Sequence, residues 1–189
     1  MKFDPSTSIH DYLVFGEFGD VNPSITDSST FTFMNPKKME ELFDHEIEGC
    51  FLYSRHWNPI NKFLSNALAR LEDTECAQVT SSGMGAISST VLDICSTGDE
   101  IISGRTIYGG TYALFKNFLP KLGIKVKFAD LHNIKKVEEL ITDKTKIIYG
   151  ESINNPLLEV TDNPNLSKIQ KKNENRLKIN NKLKTIIIT

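Results

Sequence analysis

Between residues 76 and 150 short apolar runs alternate with helix-like stretches, and no other feature of the chain constrains its fold as much. Residues 76–80 read as a strand, Ser81-Ser82-Gly83 as a turn, and residues 84–95, carrying Ile87, Val91, Leu92 and Ile94, as a helix. Further strands are expected at 99–103, 124–129 and 145–150, with helices at 111–122 and 134–141 between them. A parallel pair needs a crossover connection, so strands joined by helices pair in parallel and are covered on both faces. The expected fold class is α/β, and a chain of 189 residues is long enough to bury such a core.

Upstream of the alternation, residues 1–30 are rich in Ser, Thr, Asp and Pro and read as an extended arm that reaches a partner subunit. A helix is predicted from Pro36, with Met39, Leu42, Phe43 and Ile47 at helical spacing up to Gly49. A second helix follows Asn58-Pro59, with Phe63, Leu64, Ala67, Leu68 and Leu71 on one side. Charge divides the chain: residues 1–167 hold 15 Lys+Arg against 23 Asp+Glu, whereas residues 168–189 hold 7 against 1. Of those last 22 residues, 15 are Lys, Ile or Asn, which is low complexity and not a nucleic-acid patch. The organisation expected is an arm with its first helix (1–50), a partial α/β domain (51–167) and a non-native basic tail (168–189).

Composition excludes some classes. No run of about 18 apolar residues and no basic-then-apolar start occurs, so the expectation is a cytoplasmic protein with no membrane partner. Cys50, Cys76 and Cys95 never form C-x-x-C and are expected to be buried thiols, with no metal site. His56 beside Trp57 reads as interface packing or a solvent-facing ring, and His10, His45 and His132 lack ligand spacing. Asp143-Lys144-Thr145-Lys146 reads as solvated charge.

In an open α/β sheet the ligand-bearing residues lie just past the carboxyl ends of the strands. Thr80-Ser81-Ser82-Gly83-Met84-Gly85 puts hydroxyls and glycines at a helix start, where free N–H groups and the dipole favour phosphate or where Ser simply caps the helix. It is neither a P-loop nor a dinucleotide fingerprint. Ile107-Tyr108-Gly109-Gly110-Thr111 sets an aromatic ring on a turn, and Glu151-Ser152-Ile153-Asn154-Asn155-Pro156 gathers a carboxylate and two amides after a strand.

Taken in order with Ser28-Ser29-Thr30-Phe31, Tyr53-Ser54-Arg55 followed by Asn58-Pro59, and Gly98-Asp99-Glu100-Ile101, these motifs give a resemblance over residues 9 to about 167. The chain resembles the pyridoxal-phosphate enzymes of cysteine and methionine metabolism, the group containing methionine γ-lyase, cystathionine γ-synthase, the cystathionine lyases and the homoserine-ester sulfhydrylases. The resemblance implies a truncated large domain of fold type I, like that of aspartate aminotransferase, with an N-terminal arm. It implies pyridoxal 5'-phosphate as cofactor, with Ser82, Gly83 and Met84 at its phosphate and Tyr108 stacked on its ring and exchanging protons. It further implies Asn155 near the cofactor's phenolic oxygen, Glu151 behind it, and Tyr53 and Arg55 reaching the phosphate of a neighbouring subunit in a homodimer or homotetramer. The substrate class implied is a small sulfur amino acid or homoserine ester, undergoing γ-elimination or γ-replacement, with a carbon–sulfur lyase favoured.

The chain also departs from that group. Neither Asp-Asn-Thr, whose Asp pairs with the pyridine nitrogen, nor Ser-x-Thr-Lys, whose Lys forms the Schiff base, is present. Gly110 stands where many methionine γ-lyases carry a cysteine, and Ile153 replaces a common proline. The expectation is roughly half an enzyme, inactive and with weak or no cofactor binding, whose A/T-rich-codon tail reflects a frameshift or premature end. Its sheet would end in an exposed edge strand prone to aggregate. Two other readings are a non-catalytic remnant that docks on full-length subunits and a phosphate-binding α/β module.

Overall fold

The structure is a computed structural model that describes residues 4–10, 12, 19–33, 35–44, 47, 49–177 and 184–188. The chain forms two compact units that meet between Val79 and Thr80.

The first unit holds α1 (Pro5–His10), α2 (Pro36–Asp44) and α3 (Pro59–Leu71). The arm is thus interrupted by a short helix, begun where Asp4 accepts from the Ser6 and Thr7 N–H groups. Asn58 caps α3 by accepting from the Ile60 N–H at 3.0 Å, with Pro59 in the first turn. Ser65, Ala67 and Ala69 are its buried residues, while Leu64 and Leu68, expected on one side with Ala67, are 45% and 38% exposed. Helix α2 buries none of its side chains; Phe43 is 67% exposed.

The second unit is the expected parallel sheet, with β1 (Glu100–Gly104), β2 (Lys125–Ala129), β3 (Thr145–Glu151) and β4 (Lys184–Ile188) in the order β2-β1-β3-β4. Helix α4 (Gly83–Ile94) precedes β1, and α5 (Gly109–Ala113), α6 (Ile134–Leu140) and α7 (Asn163–Leu177) lie between successive strands. Side chains alternate across a strand, so β1 and β3 feed two cores. Ile101, Ile147 and Tyr149 pack with Ile87 and Val91 of α4 and with Phe115 and Leu119. Ile102 and Ile148 pack on the other face with Ala129, Leu131, Val137 and Leu166.

Three elements differ from expectation. Residues 76–80 are not a strand: Ala77 and Val79 are half-buried between exposed neighbours, the alternation of a strand, but no ladder partner pairs with them among the described residues. Without a partner, an alternating pattern stays an extended segment. Cys76 lies there and is exposed, Cys50 is half-buried, and Cys95 alone is buried, so the expectation of three buried thiols holds for one. The helix expected over 111–122 begins earlier, as α5, then widens into a π turn (Leu114–Phe118) and tightens into a 3-10 turn (Leu119–Leu122). Pro120 cannot donate an N–H, which disfavours a regular ladder there. Gly123 ends the run at φ 77°, and a Cβ on it would meet Thr97 Cγ2 at 2.6 Å. Finally, α7 runs through the expected boundary at 167, and the tail supplies β4, parallel to β3 with Ile148 opposite Thr185. The β-branched run Ile186-Ile187-Ile188 suits a strand, and it pairs along β3, so that β2 and β4 are the edges of the sheet.

At the opposite end of the sheet from the site loops, Glu100 accepts from Lys127 Nζ at 2.6 Å and from Thr142 Oγ1 at 2.7 Å. The Lys127 hydrogen bond holds the Glu100 carboxyl below the usual carboxylate range, against the opposing effect of burial. Folding therefore favours the ionised form, so this stabilisation is present above the ordinary carboxylate range and is lost as pH falls through the lowered value. Glu100→Gln is expected to cost about 1–2 kcal/mol at neutral pH. Urea unfolding should show that difference shrinking as the buffer is taken to about pH 3.

Candidate functional site

The strands of the second unit run in parallel, so their carboxyl ends deliver three loops to one edge: residues 105–108, 130–133 and 152–162. A cavity of about 290 Å³ opens there, lined among others by Arg105, Thr106, Asp130, His132, Glu159 and Thr161.

Helix α4 starts at the same unit's first turn. Ser82 is its cap, in extended conformation, and its Oγ accepts from the Gly85 N–H at 3.0 Å. The Ala86 N–H goes to the Ser82 carbonyl, which leaves the first two helical N–H groups, those of Gly83 and Met84, without an acceptor in the helix. Ser82 and Gly83 are exposed, and a Cβ on Gly83 would meet nothing within 4 Å. This is a helix N-terminus with two N–H groups left over by the helix and open space at the Cβ position of its first residue.

Tyr108 stands next to it. The residue begins α5, its side chain is 51% exposed, and its N–H donates to Glu151 Oε1 at 2.9 Å. Gly110 lies under the ring: a Cβ there would sit 2.6 Å from Tyr108 Cε1 and 3.3 Å from Met84 Sδ. Thr111, fully buried, turns its Oγ1 toward Met84 Sδ at 3.8 Å. Glu151, only 8% exposed, spends its second carboxylate oxygen on the Asn155 N–H at 3.3 Å. One carboxylate thus bridges the backbones of Tyr108 and Asn155. Behind this group Tyr149 is fully buried, edge-on to Phe115 at 4.9 Å, with the Thr111 side chain near its hydroxyl. Burial pushes that phenol up to about 12. It remains neutral throughout the physiological range.

Five of the motifs therefore converge on two places. Within the second unit, Ser82, Gly83, Met84, Tyr108, Glu151 and Asn155 form one constellation. Within the first unit, Tyr53 and Arg55 sit together, with the Arg55 guanidinium 5.1 Å from the centre of the Tyr53 ring. The Ser28-Ser29-Thr30 motif, separate in sequence, docks on that loop: Thr30 bridges Tyr53, and the Ser54 N–H donates to the Ser29 carbonyl at 2.9 Å. Asn58 Nδ2 adds bonds to the Thr26 carbonyl and to Ser54 Oγ, each 3.0 Å. His45 lies outside the described residues, and His132 lines the cavity without a hydrogen bond from its ring to any of the site residues above.

Sequence reasoning gave no role of their own to Thr111 and Asn154, named only within motifs, and missed Glu159 and Thr161. The last three belong to a small hairpin in which Ile153 bridges Val160. The alternation of apolar and polar residues on both sides of Asn155-Pro156 was the available signal.

A doubly covered parallel sheet with a free helix start, an aromatic ring and a bridging carboxylate at its carboxyl edge has the architecture of part of an α/β large domain of fold type I. The chain belongs to the family described as Cys/Met metabolism PLP-dependent enzyme, which it matches over residues 8–189. The match continues through the basic tail, past residue 167 where the quoted motifs stop. A methionine gamma-lyase of Arabidopsis thaliana is 42% identical over 172 residues, 88% of this chain and 39% of that protein. An L-methionine gamma-lyase of Fusobacterium nucleatum subsp. polymorphum is 37% identical, over 92% of this chain and 44% of its own length. Among solved structures, a putative O-acetylhomoserine (thiol)-lyase of Campylobacter jejuni carrying N'-pyridoxyl-lysine-5'-monophosphate superposes with TM-score 0.86 at 26% identity, covering 98% of this chain and 44% of that one. A cystathionine gamma-lyase of Lactobacillus plantarum in complex with L-serine superposes with TM-score 0.79 at 30% identity, over 99% and 44%. The chain thus spans less than half the length of the relatives it matches. Among the described residues no helix is long and apolar enough to cross a membrane.

Because Gly110 supports the Tyr108 ring by direct approach, Gly110→Ala is expected to displace that ring. The ring-proton shifts of Tyr108 should move in the variant, while urea unfolding changes by no more than about 1 kcal/mol, the exposed ring being free to yield.

Proposed function

We propose that residues 80–162 form the phosphate- and ring-binding part of a pyridoxal-phosphate site that serves γ-elimination or γ-replacement on a sulfur amino acid or homoserine ester, with carbon–sulfur lysis favoured. The observation that carries this reading is the Glu151 bridge, which ties Tyr108 and Asn155 into one site at the same sheet edge as the free start of α4.

The residues present fit the cofactor. An anionic phosphate suits the unpaired Gly83 and Met84 N–H groups, the positive end of a 12-residue helix and the open space at Gly83. A flat aromatic face suits the half-exposed Tyr108 ring. When bound, the cofactor supplies an electron sink for charge developing on the substrate. In this reading Ser82 holds the helix start in place, Gly83 and Met84 bind phosphate, and Tyr108 covers the ring and moves a proton at its phenolic oxygen. Glu151 orients the Tyr108 backbone, and the Asn155 amide contacts the cofactor's phenolic oxygen. Gly110 keeps the space under the tyrosine free. Tyr53 and Arg55 complete a phosphate site in a second subunit of a homodimer or homotetramer; a guanidinium already seated on its own tyrosine ring supports their acting as one unit.

Neither Asp-Asn-Thr nor Ser-x-Thr-Lys occurs in the 189 residues, so the groups that would pair with the pyridine nitrogen and anchor the cofactor covalently are not among these side chains. The 189-residue polypeptide is therefore expected to bind pyridoxal phosphate weakly and to turn over neither methionine nor cystathionine. Titration of the isotope-labelled chain with pyridoxal phosphate should move the amide resonances of Gly83, Met84 and Tyr108 first, and Ser82→Ala should weaken that response. Release of a thiol and a 2-oxo acid by the purified chain, lost in Tyr108→Phe, would overturn the inactivity. Shifts confined to other residues would overturn the site.

A further inference from the structure

Asn154 and Glu159 grip one another through three hydrogen bonds outside any helix. Asn154 Nδ2 donates to Glu159 Oε2 at 2.7 Å, the Glu159 N–H donates to Asn154 Oδ1 at 3.1 Å, and the Asn154 N–H donates to the Glu159 carbonyl at 3.0 Å. Asn154 is 7% exposed, so its amide depends on this partner for satisfaction. The clasp closes the tip of the hairpin whose base is pinned by Thr161, through its N–H to the Ser152 carbonyl and its Oγ1 to the Glu151 carbonyl. Leu158, inside the closed tip, is a non-glycine residue at φ 57°, with its N–H on the Asn154 carbonyl at 3.0 Å. A left-handed leucine persists only where its surroundings over-determine it, and the clasp is what surrounds it.

The consequence reaches the site through the next residue. The Asn155 N–H can meet Glu151 Oε2 only if residues 152–154 follow this path, and the same carboxylate holds the Tyr108 N–H with its other oxygen. We infer that Asn154 and Glu159 are a positioning pair for the Tyr108–Glu151–Asn155 bridge, setting the place of the tyrosine ring and of the Asn155 amide through the backbone. The inference rests on the function proposed above only for what those three residues do with a ligand; the mechanical coupling stands on the hydrogen bonds.

The test is a charge-exchange cycle read by amide hydrogen exchange in the full 189-residue chain. Asn154→Asp sets two carboxylates against each other, and the Tyr108 and Asn155 amides should exchange about tenfold faster. The double variant with Glu159→Gln restores a donor facing an acceptor and should bring both amides back to the parent rate, a rescue that loss of bulk packing would not produce. The amides of Ile102 and Ile148 in the central strands report that the sheet is intact. Should Asn154→Asp unfold the chain, Glu159→Ala removes the acceptor without opposing charges and should speed Tyr108 to the same degree. An unchanged Tyr108 rate in the folded single variant, or no restoration in the double variant, overturns the coupling. Pyridoxal-phosphate titration of the parent chain reads the proposed function separately, so failure of one is distinguishable from failure of the other.

Discussion

Burial of both faces of β1 and β3 at once is the constraint on which the rest of the second unit depends. A strand with apolar side chains on each side must be covered twice, and in one chain that is achieved by helical crossovers, which in turn make the strands parallel. Parallel strands all end at the same edge. The loops after β1 and β3, with Tyr108 and with Glu151 and Asn155, are therefore neighbours although 43 residues separate the first two. Nothing local brings them together; the two apolar cores do.

Within that frame a single buried carboxylate does the joining. Glu151 faces two backbone donors, so it fixes the position of the tyrosine by its main chain and leaves the ring half-exposed. The geometry separates orientation from chemistry: the phenol is free to meet a ligand because the backbone, not the hydroxyl, is held. Gly110 contributes by what it lacks, since any side chain there would press on the ring.

The elements that the residues revealed directly were those with strong local signals. Helix α4 was legible from Ser82, Gly83 and the spacing of Ile87 and Val91; α3 from Asn58-Pro59; β1 and β3 from the adjacent apolar pairs Ile101-Ile102 and Ile147-Ile148, which put an apolar side chain on each face as a doubly covered strand needs. The misreadings share a cause. Residues 76–80 alternate like a strand but have no partner to pair with, and the tail has the β-branched residues of a strand hidden in a low-complexity composition, with β3 waiting to pair with it. Strand identity is settled between segments, not within one. Likewise Leu64 and Leu68, read on one side of α3 with Ala67, are partly exposed whereas Ala67 is buried.

The order of the motifs by itself determined the α/β class, the family and the residue types at the sheet edge, because turn and cap chemistry is local and a helix start shows in its own first residues. The tertiary structure alone decided which of those residues meet. The Glu151 bridge, the approach of Gly110 to the Tyr108 ring, the docking of residues 26–30 on the Tyr53 loop and the Asn154–Glu159 clasp each depend on the path of the backbone between segments. That path is set by the burial of distant side chains, which no short window of sequence contains.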